Sequence, residues 1–528
     1  MDRMLEELSS FKVAAVQFNP LLGDVENNRC RMVNMLEDAA DQGAKLIVFP
    51  EMASSGYVWE DRKEISPYVE TIPGPTTDAV LAVASKHQCY VVIGLPEVDS
   101  GTGAYYNSAV LVGPEGIVGS YRKTHLFAAD PRWAREGNDG VQVFETKIGR
   151  IALLICMDAM YFEPSRIAAL QGADIIAFPT NWVGASNNSP SKTWCLRAKE
   201  NGLFWIASNR SDTERGAQFT GGSAIIDSNG DVQHFLLSGE GIVYGEVKLD
   251  RQVRRNLLDS RRPEAYQELL LQPYLWKEGE TRSVFEPLPY EIVVCPLNET
   301  RWNDMLFLEL RSLLEQTEGH LSTTHRLYVL PELELLSDSA SHTDELTEVV
   351  IQLQQLAAVY EGYIAVSLRN SCQTESFLIA SDGIIGSFVQ VHGNASRLKK
   401  SINVEGFRTF ELPFGRVGLL TEKDAELPES YRILAKQGAD IIAISGASRT
   451  SETIWMKRIW AFENDAVLAY ANPFTQSGSL LFLHRQMNLD SGPEASPLLQ
   501  KFDPEMTAAA RSRNFMRRSK THLYDLLV

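Results

Sequence analysis

Short apolar runs alternate with stretches whose apolar residues recur three and four apart, and this alternation continues along the chain. FKVAAVQF (11–18) is rich in β-branched and aromatic residues and ends at Asn19-Pro20, a turn signal, so it predicts a strand. Residues 26–42 place Met32, Met35, Leu36 and Ala39 at helical spacing. Strands are then expected at KLIVFP, YVVIGLPEV, SAVLVGPEGIVGSYRK, RIALLIC and ADIIAFP, with helices at FEPSRIAALQG and around TWCLRAKENG. Hairpin signals such as GPEG interrupt the strand–helix alternation, which predicts a layered α/β architecture with mixed rather than purely parallel sheets.

The pattern then repeats. RIALLICMDAMYFEPSRIAALQGADIIAF (150–178) lies 266 residues ahead of RVGLLTEKDAELPESYRILAKQGADIIAI (416–444). VFPE (48–51) answers to VLPE (329–332), GSYRKTH (119–125) to GSFVQVH (386–392), and ENGLFWIASN (200–209) to ENDAVLAYAN (463–472). The tails match as well, RNLLDSRRPEAYQELL (255–270) against RNFMRRSKTHLYDLLV (513–528). A period near half the chain is too long for a solenoid, so two copies of one domain are expected. The first copy is placed at 10–275, a connector at 276–287 within the proline-containing stretch QPYLWKEGETRSVFEPLPY, and the second copy at 288–528.

Composition narrows the function. The 528 residues carry a net charge of −18, which repels phosphate backbones and disfavours nucleic acid or an anionic membrane as partner. Six scattered cysteines without a CxxC pair fit a reducing cytosol, and MDRMLEELSS carries charges where a signal peptide needs an apolar core. No apolar run approaches membrane-spanning length, so a cytoplasmic location is expected. His320 and His325 lack neighbouring cysteines, and neither a P-loop nor a GxGxxG opening a helix is present; no metal or cofactor is expected.

Three residues stand where chemistry is possible. Cys156 ends an apolar strand beside a helix start, where main-chain N–H groups and the helix dipole favour a thiolate. Glu51 follows the very apolar KLIVFP, and desolvation there would raise its pKa toward that of a working base. Lys123 lies in SYRKTHLF, where Tyr121, Lys123 and His125 alternate as on one face of a strand end; its ammonium could hold a developing oxyanion.

FPE with Glu51, YRKTHLF with Lys123 and LLICMDAMYFEPSR with Cys156 resemble the three catalytic blocks of the nitrilase superfamily of carbon–nitrogen hydrolases, in that family's order. RAKENGLFWIASNR (197–210) and FTGGSAIIDSNGDV (219–232) resemble two further blocks. The resemblance implies two tandem four-layer αββα sandwiches, packed like a pseudo-dimer and open to further homo-oligomerisation. It also implies a Glu51–Lys123–Cys156 triad acting on a small-molecule amide without a cofactor. In that scheme Met157 supplies a main-chain N–H to the oxyanion. The fourth acidic residue common in the family falls at Asp130 or, less well, Glu136. Asp158, Glu163 and Arg166 would support the turn and helix behind the cysteine. Asn181, Trp182 and the segment VGASNNSPSKTW would border the pocket, and Tyr161 sits in the cysteine block. Met157-Asp158 stands where nitrilases of the superfamily place Trp-Glu, which resembles the amidase and carbamoylase branches.

Carried across the repeat, Glu51 answers to Glu332, Lys123 to Gln390 and Cys156 to Glu422. A carboxylate is a poor nucleophile toward an unactivated amide, and glutamine brings no charge to an oxyanion. The second copy therefore reads as non-catalytic, retained for packing or for binding an effector. The expected activity is cleavage of a linear amide or N-carbamoyl compound through a cysteine thioester. The alternatives are a nitrilase or a thioester-based acyltransferase and, from another class, an inactive scaffold.

Overall fold

A computed structural model of the chain describes residues 10–184, 189–271, 288–318, 325–335, 342–371, 373–393, 406–448, 453–473, 478–483, 487–490, 496–511 and 514–528. The expected connector 276–287 and His320 lie outside the described residues, as do parts of VGASNNSPSKTW. The chain forms two compact units, Met1–Asp259 with Leu527 and Ser260–Leu526 with Val528.

In the first unit the strands form where the apolar runs placed them. β1 (Phe11–Gln17), β2 (Leu46–Val48) and β3 (Tyr90–Val98) run parallel, and β4 (Tyr105–Gly113) and β5 (Gly116–Arg122) continue the sheet antiparallel. Gly241–Val247 closes its other edge against β1. The second sheet holds β6 (Val143–Thr146), β7 (Gly149–Leu153), β8 (Ile175–Pro179) and β9 (Phe204–Ser208), then Ser223–Ile226 and Val232–Leu236. Both sheets are mixed, as the hairpin signals predicted.

The strands' period of two sends alternate residues to opposite faces. Ala14 and Val16 of β1 and Ile47 of β2 pack under the helices Val25–Asp41 and Pro75–His87 through Met32, Leu36, Val80 and Val83. The opposite face of this sheet meets β8, β9 and Ser223–Ile226 of the second sheet. Helices Phe162–Leu170 and Lys192–Asn201 cover the second sheet's outer side. The layers are helix, sheet, sheet, helix, and both β2 and β8 end at the same rim.

The second unit repeats this plan. Tyr290–Val294, Arg326–Val329 and Tyr363–Arg369 lie in one sheet, and Gly415–Thr421, Ile441–Ser445 and Val467–Ala471 in the other. Ile292, Val294, Leu327, Val329, Val417 and Leu419 fill the space between them. Residues 260–271, which the repeat assigns to the first copy's tail, pack within this second unit. Arg261 Nε donates to Glu429 Oε1 at 2.8 Å, Lys436 Nζ donates to the carbonyl of Leu269, and the Tyr266 hydroxyl lies 2.6 Å from His392 Nε2. Among the described residues no helix is long and apolar enough to cross a membrane.

Candidate active site

Glu51 leaves the end of β2, and its backbone is pressed against β3. A methyl group on Gly94 would come within 2.6 Å of the Glu51 Cα and 2.7 Å of the Pro50 oxygen. Only a residue without Cβ allows this approach. Gly94→Ala should therefore lower stability by about 1–3 kcal/mol through overpacking and displace Glu51. Thermal melting and kcat/KM should fall together; an unchanged kcat/KM would show that the Glu51 position does not depend on this contact.

Lys123 follows the last residue of β5 and is completely buried, as are Glu51 and Asp130. Its Nζ donates to Glu51 Oε1 at 2.7 Å and to Asp130 Oδ2 at 2.7 Å. Burial opposes the charge on Lys123, but the carboxylates of Asp130 and Glu51 outweigh it and hold the ammonium protonated well above the usual lysine range. Burial also raises Glu51 above an ordinary carboxyl; Lys123 pulls it down and Asp130 pushes it up. Of the two acidic candidates in this loop, Asp130 meets Lys123 and Glu136 is exposed.

Cys156 opens a short 3₁₀ turn, Cys156–Met160, directly after the strand run, and has φ of 44°. Left-handed backbone is costly for a residue with a Cβ, of order 1–3 kcal/mol, and such strain concentrates at functional positions. Glu422, its counterpart in the second unit, does not share the positive φ. The expectation of a resting thiolate is corrected here. Burial and the nearby Glu51 carboxylate push the Cys156 thiol far up, while Lys123, the Thr180 hydroxyl and the Asn181 main chain favour its negative form less strongly. These influences favour the neutral thiol, with Glu51 nearby as its base. Burial of the sulfur is the largest influence on it, ahead of the cation and the donors around it.

The β8 exit completes the arrangement. Asn181 N donates to Glu51 Oε2 at 2.8 Å, and its side chain donates to the Glu51 carbonyl at 2.9 Å. Glu51, Lys123, Asp130, Asn181 and Cys156 thus converge on one buried locus. Trp182 stands beside it, half-buried and edge-on to Trp194 at 5.5 Å between ring centres.

Tyr121 and His125 do not share a site with Lys123, contrary to the alternation. Lys123 turns to Glu51, whereas Tyr121 Oη donates to Asp158 Oδ2 at 2.9 Å and His125 Nδ1 lies 2.8 Å from Asp158 Oδ1. Asp158 also accepts from Ile155 N at 2.9 Å and so clamps the turn that presents the sulfur. Tyr161 stacks on the His125 ring at 4.3 Å, and Met157 is half-buried in the turn. Glu163 and Arg166 are buried on the following helix, where Arg166 donates to the Glu200 carbonyl at 2.9 Å.

Three participants escaped the sequence reading. Asn107 on β4 donates through Nδ2 to both Glu51 and Asp130, Tyr57 sets its ring 5.8 Å from Lys123 Nζ, and Thr180 faces the sulfur. The signal for Asn107 was a lone amide in the otherwise apolar strand SAVLVG and its lead-in; Tyr57 and Thr180 had none.

In the second unit the same locus is rebuilt. Glu422 pairs with Lys457 at 3.0 Å and accepts from the Tyr470 hydroxyl at 3.1 Å. Through the repeat these answer to Trp194 and Ala207, so a tryptophan and an alanine give way to a cation and a phenol that both meet the carboxylate standing in the thiol's place. Glu332 accepts from Arg369 Nε at 2.7 Å, and the Gln390 amide is spent on the His392 carbonyl. The His392–Asp424 clamp, at 2.8 Å, is kept.

The sequence profile of the carbon–nitrogen hydrolases matches residues 12–254 and again 309–491. The chain belongs to the carbon–nitrogen hydrolase family. Among its relatives, a nitrilase of Pyrococcus abyssi (strain GE5 / Orsay) is 36% identical over 246 residues, covering 46% of this chain and 92% of the relative. An (R)-stereoselective amidase of a Pseudomonas species is 33% identical, covering 45% and 85%. Omega-amidase NIT2 of Homo sapiens is 28% identical, covering 46% and 91%. A crystal structure of an amidase from Nesterenkonia sp. aligns at 23% identity with a TM-score of 0.43, over 49% of this chain and 95% of that one. The chain is an amidase-type carbon–nitrogen hydrolase in which the family's domain occurs twice.

Proposed function

We propose that the first unit cleaves a small linear amide or N-carbamoyl compound through a thioester on Cys156. The observation that carries this reading is the burial of a carboxylate, an ammonium and a thiol together, with Lys123 Nζ 2.7 Å from Glu51; burial raises Glu51, and the two carboxylates raise Lys123. Glu51 takes the thiol proton as sulfur bonds to the carbonyl carbon, and the carbonyl electron pair moves onto oxygen. Lys123 and the Met157 N–H stabilise that oxyanion, each donor being worth about 3–4 kcal/mol in the transition state. The C–N bond then breaks, and the leaving nitrogen takes the proton from Glu51. Water, deprotonated by Glu51, opens the thioester and returns the thiol.

An ammonia-release screen over aliphatic amides, ω-amides, N-carbamoyl amines and nitriles tests the reading, with Cys156→Ala as the blank. Turnover of nitriles alone would replace the amide assignment. The second unit is proposed to be non-catalytic, because its thiol position is a carboxylate already paired with Lys457. Glu422→Gln should leave kcat/KM within about two-fold of wild type, as expected of a change remote from the chemistry. A loss comparable to that of Cys156→Ala would refute the division of labour.

A further inference from the structure

Asn107 is fully buried, and its Nδ2 donates to Glu51 Oε1 at 2.7 Å and to Asp130 Oδ1 at 3.0 Å. Lys123 bridges the same two carboxylates from its own side. Two carboxylates and two donors therefore close a ring. Asn107 Oδ1, in contrast, is buried without a hydrogen-bond partner, which is a cost to stability.

The repeat supplies a control within the chain. Lys123 N donates to Asn107 O at 2.9 Å, and in the second unit Gln390 N donates to Thr374 O at 3.0 Å. Asn107 and Thr374 stand 267 residues apart, as do Lys123 and Gln390, so each pair fills the same places in its own sheet. The backbone task is served equally well by a buried threonine. The amide occurs only in the copy where two carboxylates flank a lysine.

We propose that Asn107 is a positioning residue that pins Glu51 Oε1 to the Lys123–Asp130 side, leaving Oε2 as the oxygen that receives the thiol proton. This rests on the Glu51–Lys123–Cys156 reading. Oε2 carries the Asn181 N–H at 2.8 Å, whereas Oε1 already holds two donors. The charged and titratable groups facing Glu51 are Lys123, Asp130, Cys156 and Tyr57. An N–H donated to a carboxylate favours its ionised form, so removing the Asn107 amide raises the pKa of Glu51. A base must be ionised to act, and the acid limb of the kcat/KM profile then moves to higher pH.

Asn107→Thr, the substitution the second copy already carries, is the test. The acid limb should move up by about one pH unit, with kcat/KM near neutrality lower by about 10–100-fold and the loss mainly in kcat. Asn107→Ser serves as a second variant, and thermal melting of both checks the fold. A limb that stays in place in the folded variants overturns the proposal, whatever the activity. Failure of both variants to fold also overturns it, because the amide would then belong to strand packing. If Cys156→Ala keeps its turnover, the triad reading fails first; if that variant is dead and the limb has not moved, only the role of Asn107 fails.

Discussion

Cys156→Ala is expected to reduce amide turnover by at least about four orders of magnitude, as deleting a covalent nucleophile does elsewhere. The fold should survive. Alanine removes only a sulfur, and Asp158 still clamps the turn through Ile155 N and His125. The variant should also accumulate no acyl-enzyme, which intact-mass measurement after mixing with substrate reads directly. Because burial and Glu51 hold the wild-type thiol neutral, its reactivity should depend on Glu51 rather than on a standing thiolate. Alkylation of Cys156 that proceeds equally well in Glu51→Gln would contradict this. Retained hydrolysis in Cys156→Ala would end the covalent mechanism.

Lys123→Met should be the most damaging change to stability, and should also remove most of the activity. The ammonium is the shared cation of two fully buried carboxylates, and breaking such a pair by removing one partner costs about 3–5 kcal/mol. The oxyanion also loses its charged donor, so kcat/KM should fall by about 10³-fold or more. The destabilisation has a definite pH dependence. Burial already raises Glu51 and Lys123 pulls it down, so without Lys123 the folded-state pKa of Glu51 rises further above its unfolded value. Between those values the folded state binds more protons than the unfolded one, and stability falls as pH rises. The deficit relative to wild type should therefore be greatest near neutrality and shrink on acidification toward about pH 5. A deficit that grows on acidification, measured by denaturant titration at several pH values, would contradict the burial of two uncompensated carboxylates.

The legibility of this chain was uneven, for physical reasons. The strands around β1, β2, β8 and β9 were readable because each is apolar enough to be buried between layers, and the helices because their apolar residues keep one face. Cys156 and Glu51 were readable because each closes such a run, and Lys123 because it stands in the block SYRKTHLF at a strand end. Asn107 was not, since a lone amide beside an apolar strand does not say which groups it meets, and its partners lie 56 and 23 residues away. Nor did the alternation of Tyr121, Lys123 and His125 foretell that β5 stops at Arg122 and sends Lys123 to different partners.

By itself, the order of residues determined the duplication, the layered architecture, the three chemical groups of the first copy and their loss from the second, because these depend on local periodicity and residue type. The tertiary structure alone showed the burial of the sulfur, the contact of Asp130 rather than Glu136 with Lys123, the Asn107 bridge and the Glu422–Lys457 pair. Each of these depends on desolvation and on distances between strands far apart along the chain, and neither quantity is written in a local pattern.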